Sequence, residues 1–121
     1  FWENTAKYFP AWSQVRKGGL AASEIRERYI HSHGIALQSI AKAGNGLLKN
    51  KKDWKKYLKD LKKIDWSRAN TKLWEGRATI AGRMSKANQN VLLTANAIKQ
   101  KLRIPLSKPE KEAEKLYAQG R

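Results

Sequence analysis

The sequence contains no cysteine, three prolines among 121 residues, and ten acidic side chains against 26 Lys and Arg. Without cysteine there is no disulfide framework, no thiolate metal site and no cysteine nucleophile. Nowhere does an apolar run reach the roughly 18 residues that a membrane helix needs, and no apolar stretch follows a basic start, so no span or signal peptide is read. Only two histidines occur, His31 and His33, too few on their own for a metal site of three or four converging ligands. Asp65 and Glu75 are the acids of the most polar central stretch, and a two-carboxylate hydrolase or two-metal nuclease needs more. Gly18-Gly19 and Gly44-Asn45-Gly46 are not phosphate loops, since no Gly-Lys-Ser/Thr follows. These absences point to a non-catalytic, cytoplasmic chain without cofactor or metal. It opens on Phe1-Trp2 rather than Met, as expected of a piece cut from a longer protein, here taken as one domain over residues 1–121.

What is abundant is positive charge. The net charge of +16 far exceeds what solubility requires and attracts polyanions, so nucleic acid is the first partner to consider. Residues 1–48 carry +3, 49–63 carry +6, 64–105 carry +6 and 106–121 carry +1. The second block is lysine only, whereas the third contains Arg68, Arg77, Arg83 and Arg103 beside Asn70, Asn88, Trp66 and Trp74. Lysine is a hydrated point charge; arginine is a planar fork matched to phosphate or a base edge. If DNA is the partner, Lys52, Lys55, Lys56, Lys59 and Lys63 are expected to supply sequence-independent affinity. Arg68, Asn70, Arg77, Arg83 and Lys86 are expected to supply position or preference.

With no proline between Ala11 and Ile104, the composition favours helix throughout. The expected fold is all-α, a compact bundle of about five or six helices. One amphipathic helix is read from about Ser23 to about Ala43, with Ile25, Tyr29, Ala36, Leu37, Ile40, Ala43 and Leu47 on its apolar side and Gly44-Asn45-Gly46 ending it. On that helix His33 falls on the apolar side near Tyr29 and Arg26 and reads as a hydrogen-bonded structural group. The spacing predicts a second helix from Asp53 to Ile64, capped by Asp53, with Trp54, Tyr57, Leu58, Leu61 and Ile64 within about 120° and the lysines opposite. Residues 65–82 look irregular. A further helix is expected over Asn88–Leu102, and Ser107-Lys108-Pro109-Glu110 is a capping box opening a last helix to about Gln119. Trp54 reads as core. Trp66 and Trp74, in the arginine-rich stretch, read as either core or stacking platforms for bases.

A series of segments also carries a resemblance: Tyr29-Ile30-His31-Ser32-His33-Gly34-Ile35-Ala36-Leu37, Ile64-Asp65-Trp66-Ser67-Arg68-Ala69-Asn70, Leu73-Trp74-Glu75-Gly76-Arg77-Ala78, Gly82-Arg83 with Lys86, and Thr94-Ala95-Asn96-Ala97-Ile98-Lys99. In this order they resemble the C-terminal part of the DndB family of DNA sulfur modification proteins, of the DGQHR-domain group. The resemblance runs from Phe1-Trp2 to the capping box at Ser107, and the Asp-Gly-Gln-His-Arg motif is absent, as a C-terminal fragment would have it. It implies a bacterial protein of the phosphorothioate system, in which sulfur replaces a DNA backbone oxygen. Within that system it implies a DNA-binding accessory and repressor of the modification operon, not the sulfur-transfer enzyme, with other proteins of the system as further partners. No active-site residue is carried over. The rival reading is a non-catalytic docking domain whose basic face meets an acidic partner protein or another domain of the parent chain. Peripheral membrane binding through Lys49–Lys63 would require the Trp54/Leu58/Leu61 face to be free.

Overall fold

Two long helices carry the core. The computed structural model describes residues 1–18, 24, 28–31, 33–81, 83–85 and 87–119. Among these, α1 (Trp2–Ala6) and α2 (Pro10–Arg16) lead to α3 (Gly34–Asn50), then to the short α4 (Trp54–Tyr57), which continues as a 3-10 helix over Leu58–Lys63. Next come α5 (Thr71–Trp74), a two-stranded antiparallel hairpin of β1 (Thr79–Ile80) and β2 (Arg83–Met84), α6 (Asn88–Lys101) and α7 (Lys108–Gln119). The described chain is thus mostly helical with one small hairpin, where an all-α fold was expected.

The principal helix pair is α3 against α6. Ile35, Ala36, Ile40, Ala43 and Leu47 of α3 are buried, as are Val91, Ile98 and Leu102 at α6. Ser39 Oγ donates across this interface to the Val91 carbonyl. The expected stop at Gly44-Asn45-Gly46 does not occur: α3 runs through it to Asn50. Gly44 is there for packing, because a Cβ at that position would stand 2.2 Å from the Phe1 ring. Gly46 lets Ile104 and Lys99 come to within 3.5 Å of where its Cβ would be. The expected helix is also interrupted before α3, although Glu24 and Arg28 are helical. Ser23 and Arg26 lie outside the described residues, but Tyr29 is extended and pairs with Ser67, with Ile30 N–H bonded to the Trp66 carbonyl and Arg68 N–H to the Arg28 carbonyl. His33 is therefore the residue before α3 rather than a residue on its apolar face, and Leu37 is 38% exposed.

The Asp53–Ile64 stretch is α-helical for one turn only. Beyond Tyr57 the buried apolar residues are Leu58, Leu61 and Ile64, a spacing of three that keeps one side inward in a 3-10 helix but drifts in an α-helix. Trp66 Nε1–H closes this segment by donating to the Leu61 carbonyl. Asp53 makes no capping bond and instead pairs with Lys56 at 2.7 Å. Trp54 is half-buried against Phe1, with ring centroids 6.2 Å apart. Trp66 and Trp74, in contrast, are 6% and 0% exposed and stacked on each other, so both are core.

The end of the chain follows the expectation. The α6 helix spans Asn88–Lys101, and the Ser107/Glu110 capping box forms in both directions at the head of α7. Tyr117 of α7 lies where a Cβ on Gly76 (φ +86°) would meet it at 2.8 Å, and its hydroxyl donates to the Glu75 carbonyl. Glycine is required there twice over, for the positive φ and for the close approach.

Candidate nucleic-acid interface

The loop Asp65–Asn70 is held by its own side chains. Asp65 Oδ1 accepts from Ser67 N–H, Ser67 Oγ accepts from Ala69 N–H, and the Asp65 carbonyl accepts from both Asn70 Nδ2 and Trp74 Nε1. Such local bonds fix a loop without secondary structure, and they set the direction of Arg68. Pairing of residues 28–30 with 66–68 brings Arg28 beside Arg68.

Three open clefts adjoin at Asp65. One of about 480 Å³ is bordered by Arg28, Tyr29, Ser67 and Arg68. A second, of about 340 Å³, is bordered by Lys63, Asn70, Lys72 and Lys101. The third, of about 590 Å³, is walled by aromatic rings with Lys62 at its edge. Six cations, namely Arg28, Lys62, Lys63, Arg68, Lys72 and Lys101, thus border clefts in which the one acid among the described residues is Asp65.

Next to them runs the lysine strip, where Lys52, Lys55, Lys56, Lys59, Lys62 and Lys63 are all exposed. Tyr57 gathers several charges: Lys51, Lys56 and Arg103 lie over its ring at 5.2, 5.4 and 5.2 Å. Desolvation is slight in this strip. The Lys56 ammonium is raised above its ordinary value by the hydrogen bond to Asp53, and Asp53 is lowered by the same bond. The strip has one buried acid, Asp60, whose Oδ2 accepts from Arg103 at 3.2 Å while Lys63 lies 3.2 Å from Oδ1. Arg103 occupies the left-handed region (φ +61°) at the end of α6, where Ile104 N–H returns to the Lys99 carbonyl and Arg103 N–H to the Gln100 carbonyl. That closure normally takes glycine. Here it carries a guanidinium whose side chain is 67% exposed.

The residues singled out from sequence separate accordingly. Lys63, Arg68 and Asn70 meet around Asp65, and Lys52, Lys55, Lys56 and Lys59 lie on the adjoining strip. Arg83 is exposed on β2 and borders none of the three clefts. Lys86 lies outside the described residues. Arg77 has a different job from the one expected of it. It is 7% exposed, both terminal nitrogens bond to the Glu114 carboxylate at 2.8 and 2.7 Å, and Nη1 also donates to the Leu93 carbonyl. Its fork is turned inward, tying α7 through Glu114 to α6 through Leu93. Arg28, Lys72 and Lys101 were not singled out from sequence, and Lys62 and Arg103, though within the basic blocks, were not among the residues expected to meet DNA. The 28–68 pairing brings in Arg28, and the end of α6 brings in Lys101 and Arg103; no local spacing announces either.

The histidine reading changes too. His31, not His33, is the buried one: it is 4% exposed, stacked on Tyr29 at 4.9 Å, and its Nδ1 accepts from Trp12 Nε1–H at 3.1 Å. Burial first, and the neighbouring His33 second, lower its pKa to about 4. Among the described residues no group of three or more His, Cys, Asp or Glu could hold a metal ion, and no helix is long and apolar enough to cross a membrane.

The arrangement is that of a mostly helical, cation-rich surface protein with exposed lysines beside a rigid, arginine-bearing loop. A family model described as DndB, DNA-sulfur modification-associated, matches residues 1–105, and the chain belongs to that family. The match covers α1 to the end of the α6 closure and leaves α7 outside it. No curated protein and no solved structure matches the chain.

Proposed function

We propose that the chain is a non-catalytic DNA-binding module of a DNA sulfur modification system, acting in regulation of the modification operon. One observation carries this reading: the six cations that border the clefts around the Asp65–Asn70 loop are continuous with the Lys52–Lys63 strip, with so little acid between them. A helix face that is merely solvated mixes signs; over residues 51–63 this one exposes a single acid, Asp53, against six exposed lysines. Exposed lysines suit the phosphate backbone, which supplies affinity without sequence information. Arg68 on the Asp65–Asn70 loop, and Arg28 on the segment paired with it, suit a fixed phosphate position or a base edge.

The test is a salt titration on duplex DNA by fluorescence anisotropy. For every phosphate that the protein ceases to neutralise, the slope of log affinity against log salt should flatten by about 0.9. Changing Lys52, Lys55 and Lys59 together to Gln is expected to flatten it by about two to three units, equally on operator and scrambled duplexes. Substituting Arg68 by Lys keeps the charge and removes the fork, so operator binding should fall more than scrambled binding. An unchanged slope in the lysine variant would transfer the surface to an acidic protein partner.

A further inference from the structure

The largest of the three clefts, about 590 Å³, is built differently from the other two. Tyr8, Phe9, Tyr29 and Trp66 contribute rings to its wall, together with the imidazole of His31. Its size falls in the roughly 300–1,000 Å³ range of sites for small planar ligands. Trp12 Nε1 can only donate, so His31 Nδ1 must be the acceptor and the ring proton sits on Nε2. The His31 ring borders the cleft, and Nε2–H is the one donor it has left to offer there. The ring is held neutral by its burial, so the acceptor it suits is uncharged, a carbonyl or ring nitrogen rather than a phosphate oxygen. Negative charge is catered for at the rim, where the Lys62 ammonium lies 5.5 Å from the centre of the Tyr8 ring.

We infer that this cleft receives one unstacked nucleobase of DNA, its ring against the aromatic wall, a base acceptor on His31 Nε2–H and the adjoining phosphate on Lys62. The inference rests on the DNA-binding reading and adds to it a site for an unpaired nucleotide at the edge of the lysine strip, with Lys62 common to both. Aromatic walls accept any base face, and the donor adds a preference for bases with an exposed carbonyl or ring nitrogen.

The experiment compares three fluorescein-labelled probes on the 121-residue chain: an oligothymidylate octamer, the same octamer with its bases replaced by abasic residues, and a duplex. The octamer with bases is expected to bind about tenfold or more tightly than the abasic one, the scale of base stacking on aromatic side chains. Tyr8→Ala, at the half-buried rim, should shrink that ratio several-fold and leave duplex affinity unchanged. His31→Phe keeps a ring of similar size and removes the donor, and should shrink the ratio as well; circular dichroism confirms that each variant is folded. Equal affinity for the two octamers with duplex binding intact would overturn the base site and leave the DNA reading standing. Failure to bind any of the three probes would overturn both.

Discussion

Lys99 and Lys101 stand two residues apart on α6 and serve opposite ends. Lys99 is 12% exposed at its side chain and bonded to Glu110 of α7, whereas Lys101 is exposed at the edge of a cleft with Lys63 and Lys72. The same contrast holds on a larger scale. At the junction of hairpin, α6 and α7, Arg77, Lys99 and Asn96 are matched by Glu110 and Glu114, and Ala113 is buried between them. Along Lys52–Lys63 the cations are exposed, and the acids among them are Asp53 and Asp60. Charge at the junction is consumed inside the molecule; charge on the strip is left over. The excess that suggests a polyanionic partner is therefore not a property of the whole chain, and net charge per segment did not separate the two uses.

The largest effect is expected at the junction. Arg77→Ala removes the cation that pairs with Glu114 and leaves that largely buried carboxylate with only the Asn96 amide as partner, and breaking a buried pair from one side costs about 3 kcal/mol or more. Urea unfolding would read this as a lower midpoint. At protein concentrations where the variant is folded, its salt slope on DNA should match the parent's. A flattened slope would mean that Arg77 also serves the binding face.

Acid should act on the interior and the junction before it touches the strip. The folded pKa of His31 is about 4 against an ordinary 6.5, so between those values the unfolded chain takes up a proton that the folded chain refuses. Stability contributed by the neutral ring is complete above about pH 6.5, falls as the pH drops toward 4, and levels off below that. The loss is of order 2 kcal/mol, less than the full linkage value because the ring borders an open cleft. Glu110 follows at lower pH. Burial alone would raise its pKa, but the bonds from Lys99 and Ser107 outweigh that and lower it, so its contribution is present above the ordinary carboxylate value and fades as the pH falls through the folded one. A thermal-melt series in pH should show the His31 step, and His31→Phe should remove it.

These assignments also show what a sequence can carry. The α6 and α7 helices and the capping box were legible because their signals are local: apolar spacing, Ser107 three residues before Glu110, Pro109 in the first turn. The lysine strip was legible as an exposed arc, although its geometry was misjudged, because Leu58, Leu61 and Ile64 fit either helix type at the resolution of a wheel. Gly44 could not be read correctly, since its reason is the Phe1 ring, brought in from the far end of the chain. The clefts were not legible either. They depend on residues 28–30 pairing with 66–68, a pairing that no composition or period signals.

Arg103 sits on the border of the comparison and gives its finest test. Its backbone is left-handed, which costs a residue other than glycine roughly 1 kcal/mol. Its guanidinium pairs with the buried Asp60, as junction charges do, yet its side chain is 67% exposed and lies over Tyr57 among the lysines, as strip charges do. In Arg103→Gly the relief of the backbone opposes the removal of the Asp60 pair, and Lys63 remains beside that carboxylate. The net change in stability should therefore stay within about 1 kcal/mol of zero. If Arg103 belongs to the strip, the same variant flattens the salt slope on duplex DNA by about 0.9 of a unit. Unfolding and anisotropy on one preparation give both numbers. A clear drop in stability with an unchanged slope would assign Arg103 to internal pairing, and move the edge of the binding surface back to the lysines alone.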